Sequence, residues 1–150
     1  MIATNNTLQP SPRNFESTVA QPNKQIMIVD DEHLILRYLI VTLTRPGLAV
    51  VTANSAARAL EMLDFTVPDL FILDVMMPIM DGLELCRRIR ARPETAKTPV
   101  LIISARYDSA IVETAYAAGA DDFISKLTPQ VKLLMRVREM LDANLGNGSH

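Results

Sequence analysis

The chain has 150 residues, enough for one ordinary domain that buries about 70% of the surface its unfolded form exposes. Apolar residues supply 49% and charged residues 21%, a balance that excludes a disordered or fibrous chain. With 15 basic and 17 acidic side chains the net charge is −2, so this segment lacks the positive excess by which nucleic acid or an anionic membrane is held.

Residues 1–24 are rich in Asn, Thr, Ser, Gln and Pro (Pro10, Pro12, Pro22) and carry no apolar period, which predicts a disordered tail. They also lack the basic-then-apolar order of a secretory signal. A folded region is expected over residues 25–144, followed by a flexible tail at 145–150 that includes Gly146 and Gly148.

Within the folded region, short apolar runs alternate with helical periodicity. Ile26–Val29 reads as a strand buried on both faces, followed by a helix with Leu36, Leu39, Ile40 and Leu43 on one stripe. Pro46-Gly47 ends that helix, and Leu48–Val51 is the second strand. Ser55 is placed to cap a helix with Ala56, Ala59, Leu60 and Leu63 inward. Leu70–Leu73 is the third strand, and a helix carrying Leu85 and Ile89 starts after Gly82. In that helix Cys86, the lone cysteine, reads as a small buried hydrophobe, and Arg87, Arg88, Arg90 and Arg92 read as a solvated basic face. A single thiol excludes an internal disulfide and a cysteine-rich metal framework, which fits the cytoplasm.

Val100–Ile103 is the fourth strand. The alanine-rich stretch Ser109–Ala118 is the weakest helical pattern, and Gly119 ends it. Asp122–Ile124 is a short fifth strand. Thr128 as N-cap and Pro129 as the first helical residue then open a helix with Val131, Leu134, Val137 and Leu141 on one stripe. No run approaches the ~20 apolar residues of a membrane span. Five β-α units in series imply an α/β fold, a parallel sheet with helices on both faces. Such sheets bind ligands beyond the carboxyl ends of their strands.

Polar groups gather there. The first strand ends in Asp30-Asp31, the third in Asp74, the fourth in Ser104, and the fifth in Ser125-Lys126. Two carboxylates ~4 Å apart repel by roughly 4 kcal/mol at an effective dielectric of 20, so three on one rim require a proton or a cation among them. Lys126 supplies one charge, and Mg²⁺ held by carboxylates, waters and phosphate oxygens would supply more. That set suits phosphoryl transfer to the protein itself, with Asp74 as nucleophile.

Three motifs carry a resemblance: Ile28-Val29-Asp30-Asp31-Glu32, then Leu73-Asp74-Val75-Met76-Met77-Pro78-Ile79-Met80-Asp81-Gly82, then Ala118-Gly119-Ala120-Asp121-Asp122-Phe123-Ile124-Ser125-Lys126. Residues 24–144 resemble the receiver domain of bacterial two-component response regulators. The resemblance implies a flavodoxin-like doubly wound sheet of five parallel strands, order 2-1-3-4-5, with five helices. It implies that Asp74 accepts a phosphoryl group from a histidine kinase or phosphotransfer protein. Mg²⁺ would sit on Asp31, Asp74 and the Met76 backbone carbonyl, with Asp30 acting through water. Lys126 would pair with one phosphoryl oxygen and Ser104 would hydrogen-bond another, while Phe123 matches the aromatic that turns inward on switching. Receivers commonly feed an effector domain; the residues after Asn144 are too few for one, so the expectation is either a stand-alone regulator or an output domain beyond this chain.

Two departures stand out. Leu127 follows Lys126 where the family has proline after a cis bond. A non-proline cis bond costs about 3 kcal/mol, so the sequence predicts a trans bond, with the amine still pointing to the acids. The stretch from Asp108 to Gly119 carries no Lys or Arg, unlike the charged dimer face of similar transcription-factor receivers, so a homodimer through this face would lack those ion pairs.

Taken singly, the residues have plainer readings: Asp30-Asp31 as a helix cap, Lys126 and His33 as surface residues, Ser104 as a loop hydroxyl, and Met76, Met77 and Met80 as loop packing. Two other functions compete with the switch. One is a phosphate-independent interaction module of the same fold, favoured by Leu127. The other is a hydrolase with an aspartate nucleophile, disfavoured because Met76 stands where such enzymes usually carry a second acid.

Overall fold

The computed structural model describes residues 23–148, and the side chains of residues 23–143. The tail expected at 1–22 lies outside the described residues. The elements run β1 (Lys24–Val29), α1 (His33–Leu43), β2 (Leu48–Ala53), α2 (Ala56–Met62), β3 (Leu70–Asp74), α3 (Gly82–Ala91), β4 (Val100–Ser104), α4 (Ser109–Ala117), β5 (Asp122–Ser125) and α5 (Gln130–Gly148). Lys24 thus opens the first strand, and the last helix continues through 145–148, which the sequence assigned to a tail.

All strand pairs are parallel, in the order β2-β1-β3-β4-β5. The inner strands β3 and β4 are apolar up to their last residue because both faces are covered, and alternate residues of the sheet enter two separate cores. Met27, Val29, Phe71, Leu73, Val100, Ile102 and Phe123 pack with residues of α2, α3 and α4. Ile26, Ile28, Leu70, Ile72, Leu101 and Ile103 pack with residues of α1 and α5. Each fully buried side chain of this size contributes about 1.5–3 kcal/mol. With both faces occupied, polar groups are left only the strand ends. The order reverses at β1, which has β2 on one side and β3 on the other, and a crevice at the carboxyl ends follows from that topology.

Local signals explain the helix starts. Ser55 caps α2 by accepting from the Arg58 N–H at 3.1 Å. Asp81 and Asp108 cap α3 and α4 in the same way, through Glu84 and Ile111. The weak pattern of α4 has a physical counterpart, since Ala115 is its one fully buried residue.

Three sequence readings need correction. Pro129 stands one position earlier than expected: its carbonyl accepts the Leu133 N–H, so it precedes the first helical residue, Gln130. On α5 the buried face is carried by Leu133, Val137, Met140 and Leu141, while Val131 is 69% exposed. The arginine streak is not one solvated face. Arg87 and Arg88 pair with Glu84 and Arg92 with Asp64, but Arg90 turns inward. Its guanidinium donates to the carbonyls of Gly119 (2.9 Å), Thr98 (2.6 Å), Ala96 (3.3 Å) and Thr95 (3.4 Å), and to the Asp121 carboxylate (2.7 Å). It fastens the end of α3 to the strand-entry loops of β4 and β5.

Candidate functional site

The predicted rim forms where β1, β3 and β5 end. Asp30, directly after β1, is fully buried, and its Oδ1 accepts the Glu32 N–H at 2.8 Å. This tight turn fixes the carboxylate toward the rim. Asp30 is not the cap of α1; Glu32 occupies that position and makes no side-chain cap bond. Asp31 is exposed beside it. Asp74 is the last residue of β3 and only 2% exposed.

Lys126, one residue past β5, reaches across this end of the sheet. Its Nζ lies 3.0 Å from Asp30 Oδ2, 3.3 Å from Asp74 Oδ1 and 2.8 Å from Glu32 Oε1. The amine therefore points into the acids although Leu127 replaces proline. The peptide bond between them is trans, and no cis bond occurs among the described residues. The backbone here is held by the Lys126 N–H donating to the Ser104 carbonyl and the Leu127 N–H donating to Ser125 Oγ.

Burial, and then the neighbouring charge of Asp30, raise the Asp74 carboxyl to about 6; Lys126 and the Met76 N–H resist that rise. For Lys126, burial disfavours the charge, but Glu32, Asp30 and Asp74 outweigh it and push the amine above the usual lysine range. The cluster thus holds more negative charge than one ammonium neutralises.

Two of its oxygens, Asp30 Oδ2 and Asp74 Oδ1, are buried without a hydrogen-bond partner. Lys126 is near enough for ion pairing but not aligned to donate to either. Unpaired buried lone pairs are costly, and they suit a cation. One oxygen each from Asp30, Asp31 and Asp74 lie within 4.8 Å of one another, a hard all-oxygen donor set that fits a divalent ion such as Mg²⁺. His33 is exposed and outside this group.

The loop after β3 is closed by the Gly82 N–H donating to the Val75 carbonyl at 3.0 Å. Its turn forces Ile79 to φ +73°, with the side chain fully exposed. Met77 is buried, whereas Met76 is 59% exposed. Cys86 is wholly buried, which pushes its thiol above the usual range and leaves it unreactive.

Ser104 is the last residue of β4, and Phe123 lies within β5. The Ser104 hydroxyl is buried and accepts the Arg106 N–H at 3.1 Å. Phe123 is turned inward, 5% exposed, and meets the ring of Tyr107 edge-on with centroids 5.5 Å apart.

The sequence model of the response regulator receiver domain matches residues 26–138. The chain belongs to that family. This receiver is 38% identical to the transcriptional regulatory protein AfsQ1 of Streptomyces coelicolor over 116 residues, covering 77% of this chain and 50% of AfsQ1. Among solved structures, it resembles a CheY-like response regulator receiver domain protein from Methanospirillum hungatei at a TM-score of 0.77 and 26% identity, covering 83% of this chain and 98% of that one. It also resembles the BeF3-activated receiver domain of DrrB at a TM-score of 0.71 and 33% identity, covering 80% and 98%. The receiver spans about half the length of the curated relatives it matches. Family and sheet order thus agree with the sequence reading.

One residue of the rim was given no role from sequence. Among the described residues, Glu32 makes the one aligned hydrogen bond to the Lys126 amine. Its adjacency to Asp30-Asp31 was visible, but its partner lies 94 positions away.

Proposed function

We propose that this receiver is a phosphoacceptor switch of a two-component system, modified on Asp74 by a histidine kinase or phosphotransfer protein in the cytoplasm. The observation that carries the proposal is a buried strand-end carboxylate flanked by one lysine and two further acids. With its carboxyl raised to about 6, Asp74 is ionised above neutral pH and able to attack. One carboxylate oxygen bonds to phosphorus, the bond from phosphorus to the donor's nitrogen or acyl oxygen breaks, and the leaving group keeps the electron pair.

Asp31, Asp74 and the Met76 carbonyl would hold Mg²⁺, with Asp30 acting through water. When bound, the ion neutralises charge on the transferring group. Lys126 pairs with a phosphoryl oxygen. The Ser104 hydroxyl has its acceptor side taken by the Arg106 N–H, so its proton is free to donate to another, and its movement draws the loop and the Tyr107–Phe123 contact with it. The greater length of the relatives supports an output domain beyond these residues. The phosphate-independent alternative rests on Leu127, and the placement of the Lys126 amine among the acids favours the phosphoacceptor reading over it.

The test is labelling by acetyl phosphate. Up to one phosphoryl group per chain should appear with Mg²⁺ and vanish with a chelator. Label independent of Mg²⁺, or recovered on a peptide without Asp74, would overturn the assignment.

A further inference from the structure

We infer that Glu32 is a positioning residue that acts through Lys126, holding the lysine amine in the unmodified state and releasing it to a phosphoryl group on Asp74. The inference rests on the phosphoacceptor reading above and adds a control element to the same site.

Three carboxylates surround one ammonium, but they do not hold it equally. Asp30 and Asp74 lie 3.0 and 3.3 Å from Nζ, and the oxygens concerned receive no aligned hydrogen bond. The aligned bond, at 2.8 Å, goes to Glu32. Glu32 is 61% exposed whereas its two competitors are buried, so the amine is drawn toward the solvent side of the cluster. An exposed ion pair is weak, because water and salt compete for both partners. A phosphoryl group on Asp74 brings new anionic oxygens into the buried part of the cluster, where the same ammonium interacts more strongly. The exposed acceptor then loses and the amine moves inward. Glu32 is thus a competitor that lowers phosphoryl affinity in the resting state. Leu127 fits this arrangement: with a trans bond ahead of it, a side-chain partner helps to aim the amine.

The experiment measures beryllofluoride affinity at saturating Mg²⁺, so that changes in ion binding do not enter. Glu32→Gln should bind about twofold to fivefold more tightly than the parent, the range an exposed ion pair is worth. The gain should shrink in 0.5 M salt, and Glu32→Asp should restore the parent value at least in part. Glu61→Gln, which removes the same charge from an exposed acid on α2, should leave affinity unchanged. Equal or weaker binding by Glu32→Gln, or an equal gain in Glu61→Gln, would overturn the inference. Failure of the parent itself to bind beryllofluoride would instead overturn the phosphoacceptor reading.

Discussion

The Asp74→Asn variant will take no label from acetyl phosphate and will be more stable than the parent at pH 7.5 without Mg²⁺. A substitution that merely damaged the site would not stabilise the fold. The native carboxyl titrates near 6, above its ordinary value of 3.8, because burial and Asp30 oppose its charge. A group raised in this way contributes full stability below pH 3.8, and that contribution is lost as the pH climbs through 6. Asn does not titrate, so the gain of the variant over the parent should be small near pH 4 and reach a plateau above about pH 7. Burial of the group means little screening, and the plateau is about 1 to 3 kcal/mol, or roughly 3 to 10 °C in Tm. Thermal melts from pH 4 to 8 with a chelator present measure it. Adding Mg²⁺ should narrow the gap by stabilising the parent more. A variant less stable than the parent across that range would show that Asp74 is not strained by its surroundings.

Gly82→Ala will destabilise the receiver by about 3 kcal/mol or more and weaken Mg²⁺ binding at least tenfold. A Cβ at this position would lie 1.9 Å from the Asp74 carbonyl oxygen, 2.8 Å from its carbon and 3.2 Å from Val75 Cα. All three are backbone atoms, which cannot swing aside as a side chain can. Gly82 is not needed for a positive φ; it is needed so that the start of α3 can press against the end of β3. Relief requires moving Asp74 itself. Gly47 offers the contrast, with φ +85° and nothing within 4 Å of a new Cβ. Gly47→Ala should cost only the backbone strain, about 1–2 kcal/mol, and leave ion binding intact. Urea unfolding and Mg²⁺ titration of both variants would separate the cases. A Gly82→Ala protein within 1 kcal/mol of the parent would refute the crowding argument.

Much of the fold was legible because a strand covered on both faces admits few polar residues. Runs such as Leu70–Leu73 therefore read cleanly, and the polar residue after each marks the strand's end. That made Asp74, Ser104 and Lys126 easy to place on one rim. The phase of α5 was not legible. Apolar residues stand at 131, 133, 134, 135 and 137, so more than one stripe can be drawn, and only packing against α1 and the sheet selects Leu133 over Val131. Arg90 was hidden among arginines two positions either side, since nothing in sequence tells an inward guanidinium from a solvated one. Glu32 was missed because its bond depends on how far a lysine just past another strand can reach.

Arg90 has a mechanical consequence. Its bonds to Thr95, Ala96, Thr98, Gly119 and Asp121 rivet together the floor of the domain, where β4 and β5 begin. Asp121 strengthens the same floor by exchanging hydrogen bonds with Val100 through its carboxylate and its N–H. A movement of Ser104 and Tyr107 at the far end on phosphorylation would therefore start from a fixed base, with β4 acting as a stiff lever rather than a yielding hinge.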